Sequence, residues 1–134
     1  MLKPRLIDYD IKVLIILGNQ AKDDETRDSI RKILIDKHRL LNYSMIFLLN
    51  KFISSKDIMR EVYAELIMIM MCERDLNLSS EMLGDIIKSV SLDSLSKYSS
   101  EVVSLELRDK CQNEFWNRVL EKEDNKGLIK KKYK

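Results

Sequence analysis

Apolar residues recur in this chain at intervals of three and four, the spacing that gathers them on one face of an α-helix. The clearest case is the last long stretch, where apolar residues stand four positions apart at Val103, Leu107, Cys111, Phe115 and Val119. No stretch alternates apolar and polar residues for long enough to predict a β-strand. The pattern therefore predicts an all-α fold.

About six helices follow from this pattern and from the residues around it. Gly18 and Asn19 are typical of a helix end, so the first helix is predicted over about residues 7–17. Asp23 and Asp24 suit the start of the second helix, because carboxylates accept hydrogen bonds from its free N–H groups. The other four are predicted at about 43–52, 54–71, 80–90 and 101–121, and the serine-rich stretch 91–100 is interpreted as a connector or a short turn of helix.

The fourth helix is predicted to lie at the centre of the fold. Ser54 and Asp57 have a spacing similar to that of a capping box at its start. From Leu66 to Cys72 the helix becomes apolar on every side, and such a helix must be covered by its neighbours. We therefore interpret Met68 and Met70 as core residues, although methionine also suits adaptable binding surfaces.

Length and charge predict one domain and a tail of different character. A chain of 134 residues suits a single domain, and 45% hydrophobic residues supply a core. We expect one helical domain over residues 1–123 and a basic flexible C-terminal tail over 124–134. The last nine residues hold five lysines and no acid, which leaves 19 basic against 22 acidic residues in the rest. Such a mildly acidic body is not expected to bind nucleic acid.

The chain is predicted to be cytoplasmic and to have no membrane span. The apolar run Leu66–Cys72 has seven residues, whereas a helix needs about 20 to cross a bilayer. Asp8 and Asp10 stand where a signal peptide would be apolar. Cys72 and Cys111 form no Cys-x-x-Cys pair and fall on apolar stripes, as free cysteines do. The lysine-rich C-terminus leaves a nuclear location open.

Residues that carry catalytic chemistry are scarce. Three Gly and one Pro leave no glycine-rich phosphate loop, and His38 is the only histidine. Ile35 and Leu34 stand three and four positions before it, so the Glu-x-x-His and His-Glu-x-x-His metal motifs are absent. The sequence predicts no catalytic residue, no cofactor and no metal site, and it predicts a solvated His38 near a helix end.

Arg31 and His38, separated by six residues, resemble the Arg-x(4–6)-His signature of HEPN ribonucleases. Members of that family are small helical domains that often act as dimers. The resemblance implies that Arg31 and His38 face the scissile phosphate and that His38 helps proton transfer at the ribose hydroxyl. It gives an enzymatic alternative to the function predicted below.

The order of the helices is similar to that of stacked helical hairpins. Each consecutive pair joins a shorter apolar helix to a longer one, and the third and fifth helices begin about 37 positions apart. Residues 36–71 resemble one armadillo or HEAT-type unit, with Leu40 and Leu41, a short apolar helix, a break at Ser54 and Ser55, and a longer amphipathic helix. This resemblance, which extends loosely over 79–120, implies a short right-handed α-α superhelical stack. A closed helical bundle is the alternative architecture.

The predicted function is that of a non-enzymatic protein-interaction or adaptor module. An apolar helical face would accept a helix of a partner protein in a groove. Since aromatic side chains dominate interface energetics, the predicted partner-binding residues are Tyr43, Tyr63, Phe115 and Trp116. A homodimer stays open, as do two rivals: the HEPN-like ribonuclease, and a viral-type helical regulator of host signalling closed around Ile58–Met71.

Overall fold

The computed structural model describes residues 5–74 and 76–125, and it confirms the all-α prediction. Within this part of the chain there is no strand, and there are seven α-helices rather than about six. After a 3-10 turn at Leu6–Asp8 come α1 (Ile11–Gln20), α2 (Asp24–Arg39), α3 (Met45–Ser54), α4 (Ile58–Glu73), α5 (Ser80–Ser89), α6 (Leu92–Glu101) and α7 (Leu105–Asn125).

Side-chain caps explain where most of these helices begin. An aspartate or serine oxygen accepts a hydrogen bond from the backbone N–H three residues later, which satisfies one of the free donors of the first turn. These capping residues are Asp10 in α1, Asp23 in α2, Ser44 in α3, Ser79 in α5 and Ser91 in α6. The hydrogen bond from Thr26 lowers the pKa of Asp23, as expected for a carboxylate that acts as a cap.

Gly18 lies inside α1, although the sequence analysis placed it at the helix end. The helix continues to Gln20. A Cβ atom on Gly18 would lie 2.5 Å from Cδ1 of Ile58 and 3.2 Å from Cγ2 of Ile30. Glycine is therefore present because α1 approaches the buried side chains of α2 and α4 closely, and it does not mark the end of the helix.

The stretch 91–100, predicted as a connector or a short turn of helix, instead forms most of α6, a helix of ten residues. Leu95 and Tyr98 lie one turn apart and are both buried, which gives the helix an inward face. Serine is a weak helix former, and the serines obscured this spacing. Ser99 and Ser100 instead donate hydrogen bonds to the carbonyl oxygens of the preceding turn.

The boundary between α3 and α4 also differs from the prediction. Ser54 is the last residue of α3, and its hydroxyl donates to the carbonyl oxygen of Asn50 at 3.0 Å. At the start of α4, the N–H of Ile58 donates to Oδ1 of Asn19 at 3.0 Å, and the N–H of Met59 donates to Oδ1 of Asp57. The cap of α4 thus comes partly from α1, a contact that spacing along the chain cannot reveal.

The chain divides into two compact units, Met1–Ile67 and Met68–Lys134, called unit 1 and unit 2 below. The prediction of a single domain over 1–123 stays a prediction, as does the choice between a superhelical stack and a closed bundle. Of the predicted tail, residues 124 and 125 belong to α7, and residues 126–134 lie outside the described residues.

In unit 1, α1 packs on α2, and the 3-10 turn contacts α2 as well. Each helix contributes its apolar stripe to the core, where burial of aliphatic side chains supplies most of the stabilisation. The most deeply buried of these side chains are Leu14, Ile30, Leu34, Leu48, Phe52, Ile58, Val62 and Ile67.

In unit 2, α5 and α6 both pack on α7. The core side chains are Met68, Met71, Ile86, Val90, Leu95, Val102, Leu107 and Cys111. The burial of Met68 confirms its interpretation as a core residue, whereas Met70, interpreted in the same way, is half-buried.

Candidate functional site

Arg31 lies at the centre of an ionic cluster on the inner side of α2. Its side chain is only 8% exposed, and its Nη1 donates to Oε1 of Glu61 at 3.1 Å. Its Nε lies 3.2 Å from Oε2 of Glu65, and its Nη2 pairs with Asp28. Three carboxylates thus surround one buried guanidinium, an arrangement that compensates the cost of removing the charge from water.

Two further cations complete this cluster. Arg27 pairs with Glu61 and donates to the carbonyl oxygen of Gly18 at 3.1 Å, which ties α2 to both α1 and α4. At the surface, Lys32 lies 3.0 Å from Oδ2 of Asp28. Three cations therefore face three anions, so the cluster is electrically balanced and has a structural character.

His38 is buried two helical turns beyond Arg31, so the expectation of a solvated histidine is wrong. It is 6% exposed, and its Nδ1 lies 3.4 Å from the hydroxyl of Tyr43. The Tyr63 ring meets the imidazole edge-on, with 5.9 Å between the ring centroids. The end of α2 is covered by these aromatic rings, which the sequence could not indicate.

Burial sets the charge state of this histidine. Loss of water lowers the pKa of His38 below its ordinary value of 6.5, and it raises the pKa of Tyr63. Within the part of the chain that the structure describes, no group forms a hydrogen bond to the buried Nε2 of His38. The side chain is therefore a neutral imidazole at pH 7, held by ring contacts and one long contact to Tyr43.

The arrangement of Arg31 and His38 bears on the ribonuclease alternative. Both side chains are on the buried side of α2, and the charge of Arg31 is compensated by carboxylates rather than facing solvent. A phosphate would have to displace Glu61 or Glu65 to reach the guanidinium. The HEPN-like function stays a prediction that this arrangement does not favour.

An exposed apolar surface lies at the end of α2 and along α3. We call it the α3 surface, and it consists of Leu40, Leu41, Ile46, Phe47 and Ile53. Leu40 is 85% exposed and Ile46 is 74% exposed, values typical of polar surface residues. The α3 surface exists because α3 has apolar residues on nearly every side. Leu48 and Phe52 fill the core, and the other apolar side chains remain exposed.

The turn between α2 and α3 brings the first part of this surface into place. Asn42 has a φ of 53°, a left-handed conformation that asparagine tolerates better than most residues. The turn places the Tyr43 ring on that of Phe47, stacked with 4.3 Å between centroids. Nζ of Lys51 lies 5.5 Å from the centroid of the Phe47 ring, so a cation borders the apolar surface.

The four predicted partner-binding residues have different environments. In unit 1, Tyr43 is half-buried beside Phe47, whereas Tyr63 is only 8% exposed and packs in the core against His38. Tyr63 is therefore not an exposed anchor in this structure. In unit 2, Trp116 is 57% exposed, and Phe115 packs edge-on against it with 5.4 Å between centroids.

Sequence reasoning missed the aliphatic residues of the α3 surface. Ile46 was counted among the apolar residues of a predicted helix, and Leu40 and Leu41 among those of a repeat unit. A signal was present, because the segment Lys37–Lys56 contains no acidic residue and α3 has few polar positions. An apolar helix without enough polar residues to solvate one side is either central or part of an interface.

The described residues give no support for a metal site, a membrane-spanning helix or a reactive Cys111. No three His, Cys, Asp or Glu side chains in 5–74 and 76–122 are arranged to hold a metal ion. None of the described helices has the length and apolar character needed to span a membrane. Burial raises the pKa of Cys111 to about 12, so this thiol is protonated and unreactive at neutral pH.

Comparisons with models of known families, with curated proteins and with solved structures find no significant match. The α3 surface is one exposed apolar region that buried packing and capping leave unexplained, and Leu105, Trp116 and Leu120 are exposed apolar residues of unit 2.

Proposed function

We propose that this protein is a non-enzymatic interaction module that binds a helix of a partner protein through the α3 surface. The observation that carries the proposal is the exposure of five apolar side chains within residues 40–53. Contiguous exposed apolar surface is unfavourable in water, and in soluble proteins it marks sites of association.

The spacing of these residues suits a helical partner. Ile46 and Ile53 are seven positions apart, so they lie on the same side of α3, two turns from each other. A partner helix that lies along α3 would place its own apolar residues between them, as in other helix-in-groove complexes. The stacked rings of Tyr43 and Phe47 border this region and provide a rigid aromatic contact.

The scaffold holds this surface in place without help from a partner. Leu48 and Phe52 are 3% and 1% exposed, and the guanidinium of Arg60 lies 4.1 Å from the Phe52 ring centroid. Arg60 also donates to the carbonyl oxygen of Phe52 at 3.0 Å, near the end of α3. A preorganised helix loses little conformational entropy on association, which favours binding.

The test compares partner recovery by the wild-type chain and by an α3 variant, Ile46→Ser with Ile53→Ser. Both side chains are exposed, so the variant should fold, with an unchanged circular dichroism spectrum. We expect a stoichiometric protein partner from the native cell to bind the purified wild-type protein and to lose at least tenfold in affinity for the variant. Ile16→Ser is the matched control, since Ile16 is 55% exposed on α1 and lies outside the α3 surface.

Retention of the partner by the α3 variant would overturn the proposal, and so would equal loss in the Ile16→Ser control. Trp116 and Phe115 provide a separate comparison in unit 2. Should Trp116→Ser abolish binding while the α3 variant does not, the interface would involve the predicted aromatic pair on α7 instead.

A further inference from the structure

The charges within the segment Lys37–Lys56, which carries the α3 surface, are of one sign, although Asp36 and Asp57 stand at its two ends. The 20 residues from Lys37 to Lys56 include four basic residues and no acid, although the whole chain has 22 acids. Arg39, Lys51 and Lys56 are exposed, and Lys37 is half-buried. Within the described residues, none of the four forms an ion pair.

The cations of the buried cluster in unit 1 have carboxylate partners, whereas Lys12 and Lys22 are exposed and form no ion pair within the described residues. Arg27, Arg31 and Lys32 each lie within 4 Å of a carboxylate of α2 or α4. The cations beside the α3 surface belong to a segment without any acid, so they give its apolar centre a positive border. A complementary surface would carry negative charge around an apolar stripe.

Resting on the function proposed above, we infer that the α3 surface binds an amphipathic helix of a partner protein whose apolar stripe is flanked by Asp and Glu. The apolar stripe would cover Ile46, Phe47 and Ile53. The flanking carboxylates would face Arg39, Lys51 and Lys56, which steers association and excludes helices with basic flanks.

A second copy of the chain is a poor occupant of the same surface. In a two-fold symmetric interface the same patch meets itself, so Lys51 and Lys56 would approach the same cations of the other copy. Like charges in this position oppose association.

An anionic membrane also presents negative charge above an apolar layer, but the α3 surface fits it less well. Asn50 lies between Ile46 and Ile53 on the exposed side of α3. Burial of its amide in hydrocarbon without a hydrogen-bond partner is costly, whereas a partner helix can provide one. The carboxamide therefore favours a protein over a lipid surface.

The experiment selects binders for the full-length protein from a displayed library of amphipathic helices. The apolar stripe is kept, and the flanking positions are varied among Glu, Lys and Ser. We expect the enriched helices to carry a clear excess of Glu, and their affinity to fall several-fold when the ionic strength is raised from about 0.05 to 0.5 M, because salt screens exposed charges.

Charge reversal provides the matched variants. Lys51→Glu with Lys56→Glu should weaken binding of an enriched acidic helix by about tenfold or more. Lys12→Glu with Lys22→Glu makes the same change at exposed positions of unit 1 outside the segment Lys37–Lys56, and it should leave the affinity nearly unchanged.

The outcomes separate this inference from the proposed function. Enrichment of neutral or basic helices that still depend on Ile46 and Ile53 would overturn the inference and leave the function standing. Failure to enrich any helix above the Ile46→Ser, Ile53→Ser variant would overturn both. Binding to vesicles with about 30% phosphatidylserine that is lost on reversal of Lys51 and Lys56, without enrichment of helices, would replace the partner helix by a membrane.

Discussion

Unit 1 and unit 2 are both small helical assemblies, but they differ in which polar and charged side chains they bury. Unit 1 buries Arg31, His38 and Glu65 within its core. In the described part of unit 2, the buried side chains are apolar apart from Tyr98 and Cys111, and none carries a charge. The same fold class can therefore be built with or without buried charges, and the two solutions respond differently to mutation and pH.

The arginine that joins helices in unit 2 shows the contrast. The side chain of Arg118 is 24% exposed, and its Nη2 donates to the carbonyl oxygens of Ile87 at 2.9 Å and Lys88 at 3.0 Å. Its Nε donates to Glu114 at 2.7 Å. These carbonyls belong to the last turn of α5, where few backbone donors are available, although that of Ile87 also accepts from the N–H of Val90 at 3.2 Å. Arg118 thus completes a helix end near solvent, whereas Arg31 is itself buried and neutralises Glu65, whose side chain is only 4% exposed.

Removal of the two arginines should change the free energy of unfolding by different amounts. Arg31→Ala should lower the free energy of unfolding by about 3–5 kcal/mol, because Glu65 would stay buried without its charge partner. Arg118→Ala should lower it by only about 1–3 kcal/mol, because water can reach the carbonyls it leaves. Urea unfolding followed by circular dichroism measures both values.

An exposed arginine controls for loss of the side chain itself. Arg39→Ala removes an exposed side chain from the end of α2, and we expect a change within about 0.5 kcal/mol. Equal losses for Arg31→Ala and Arg118→Ala would contradict the distinction between the two units.

The glycines give the second comparison, in which the two units should respond with opposite signs. Gly18→Ala in α1 places a methyl group 2.5 Å from Cδ1 of the fully buried Ile58, so it should destabilise the protein by about 1–3 kcal/mol. Gly84→Ala in α5 meets no atom within 4 Å and should stabilise it by about 0.5–1 kcal/mol, since alanine is the better helix former.

The double variant Gly18→Ala with Gly84→Ala tests whether the two effects are independent. Gly18 and Gly84 lie in different units, and their effects on the free energy of unfolding should add. A stabilising Gly18→Ala would mean that α1 and α4 are not packed as closely as the structure has them.

The smallest expected effect is a pH dependence confined to unit 1. Burial holds the pKa of His38 below 6.5, so folding favours its neutral form, and the unfolded chain binds the proton more readily. This contribution to stability is complete above about pH 6.5 and is lost progressively as the pH falls towards the folded pKa. Tyr43 and Tyr63 face the ring, and burial raises the pKa of Tyr63, so that phenol stays neutral in this range.

Comparison with His38→Gln isolates this contribution from that of the carboxylates. Between pH 7.5 and 5.5 the urea midpoint of the wild type should fall more steeply than that of the variant. Amide hydrogen exchange should show the difference in α2 and not in α7, since the chain has one histidine and it lies in unit 1. Parallel pH profiles of wild type and variant would show that His38 does not titrate on unfolding.

Much of the fold could be predicted because the signals of a helix lie in residues close together along the chain. The recurrence of Leu107, Cys111 and Phe115 predicted α7, and Asp23 marked the start of α2. The predicted start of α7 at 101 is wrong, because Glu101 ends α6 and Val103 lies between the helices, 46% exposed. The predictions failed where one residue type is compatible with two kinds of structure. Gly18 was interpreted as a helix end but permits close packing, and the serines of 91–100 were interpreted as a connector or a short turn of helix although Leu95 and Tyr98 form a buried face.

The candidate site was less predictable, because exposure is not a local property. Tyr43 and Tyr63 were selected as equivalent aromatic residues, yet one borders the α3 surface and the other packs in the core. The aliphatic residues of the α3 surface carry no signal of their own that separates them from core residues. Only the absence of acids over Lys37–Lys56 distinguished that segment in the sequence.

The spacing of apolar residues along the chain was enough to establish the all-α class and the approximate position of most helices, since backbone hydrogen bonds and caps form between residues a few positions apart. The tertiary structure alone decided which apolar side chains are covered. Leu48 is 3% exposed and Ile46 is 74% exposed on the same short helix, although both are aliphatic. It likewise decided that Arg31 is paired in the interior while Arg39 borders the α3 surface, because burial and charge pairing depend on what the rest of the chain brings alongside.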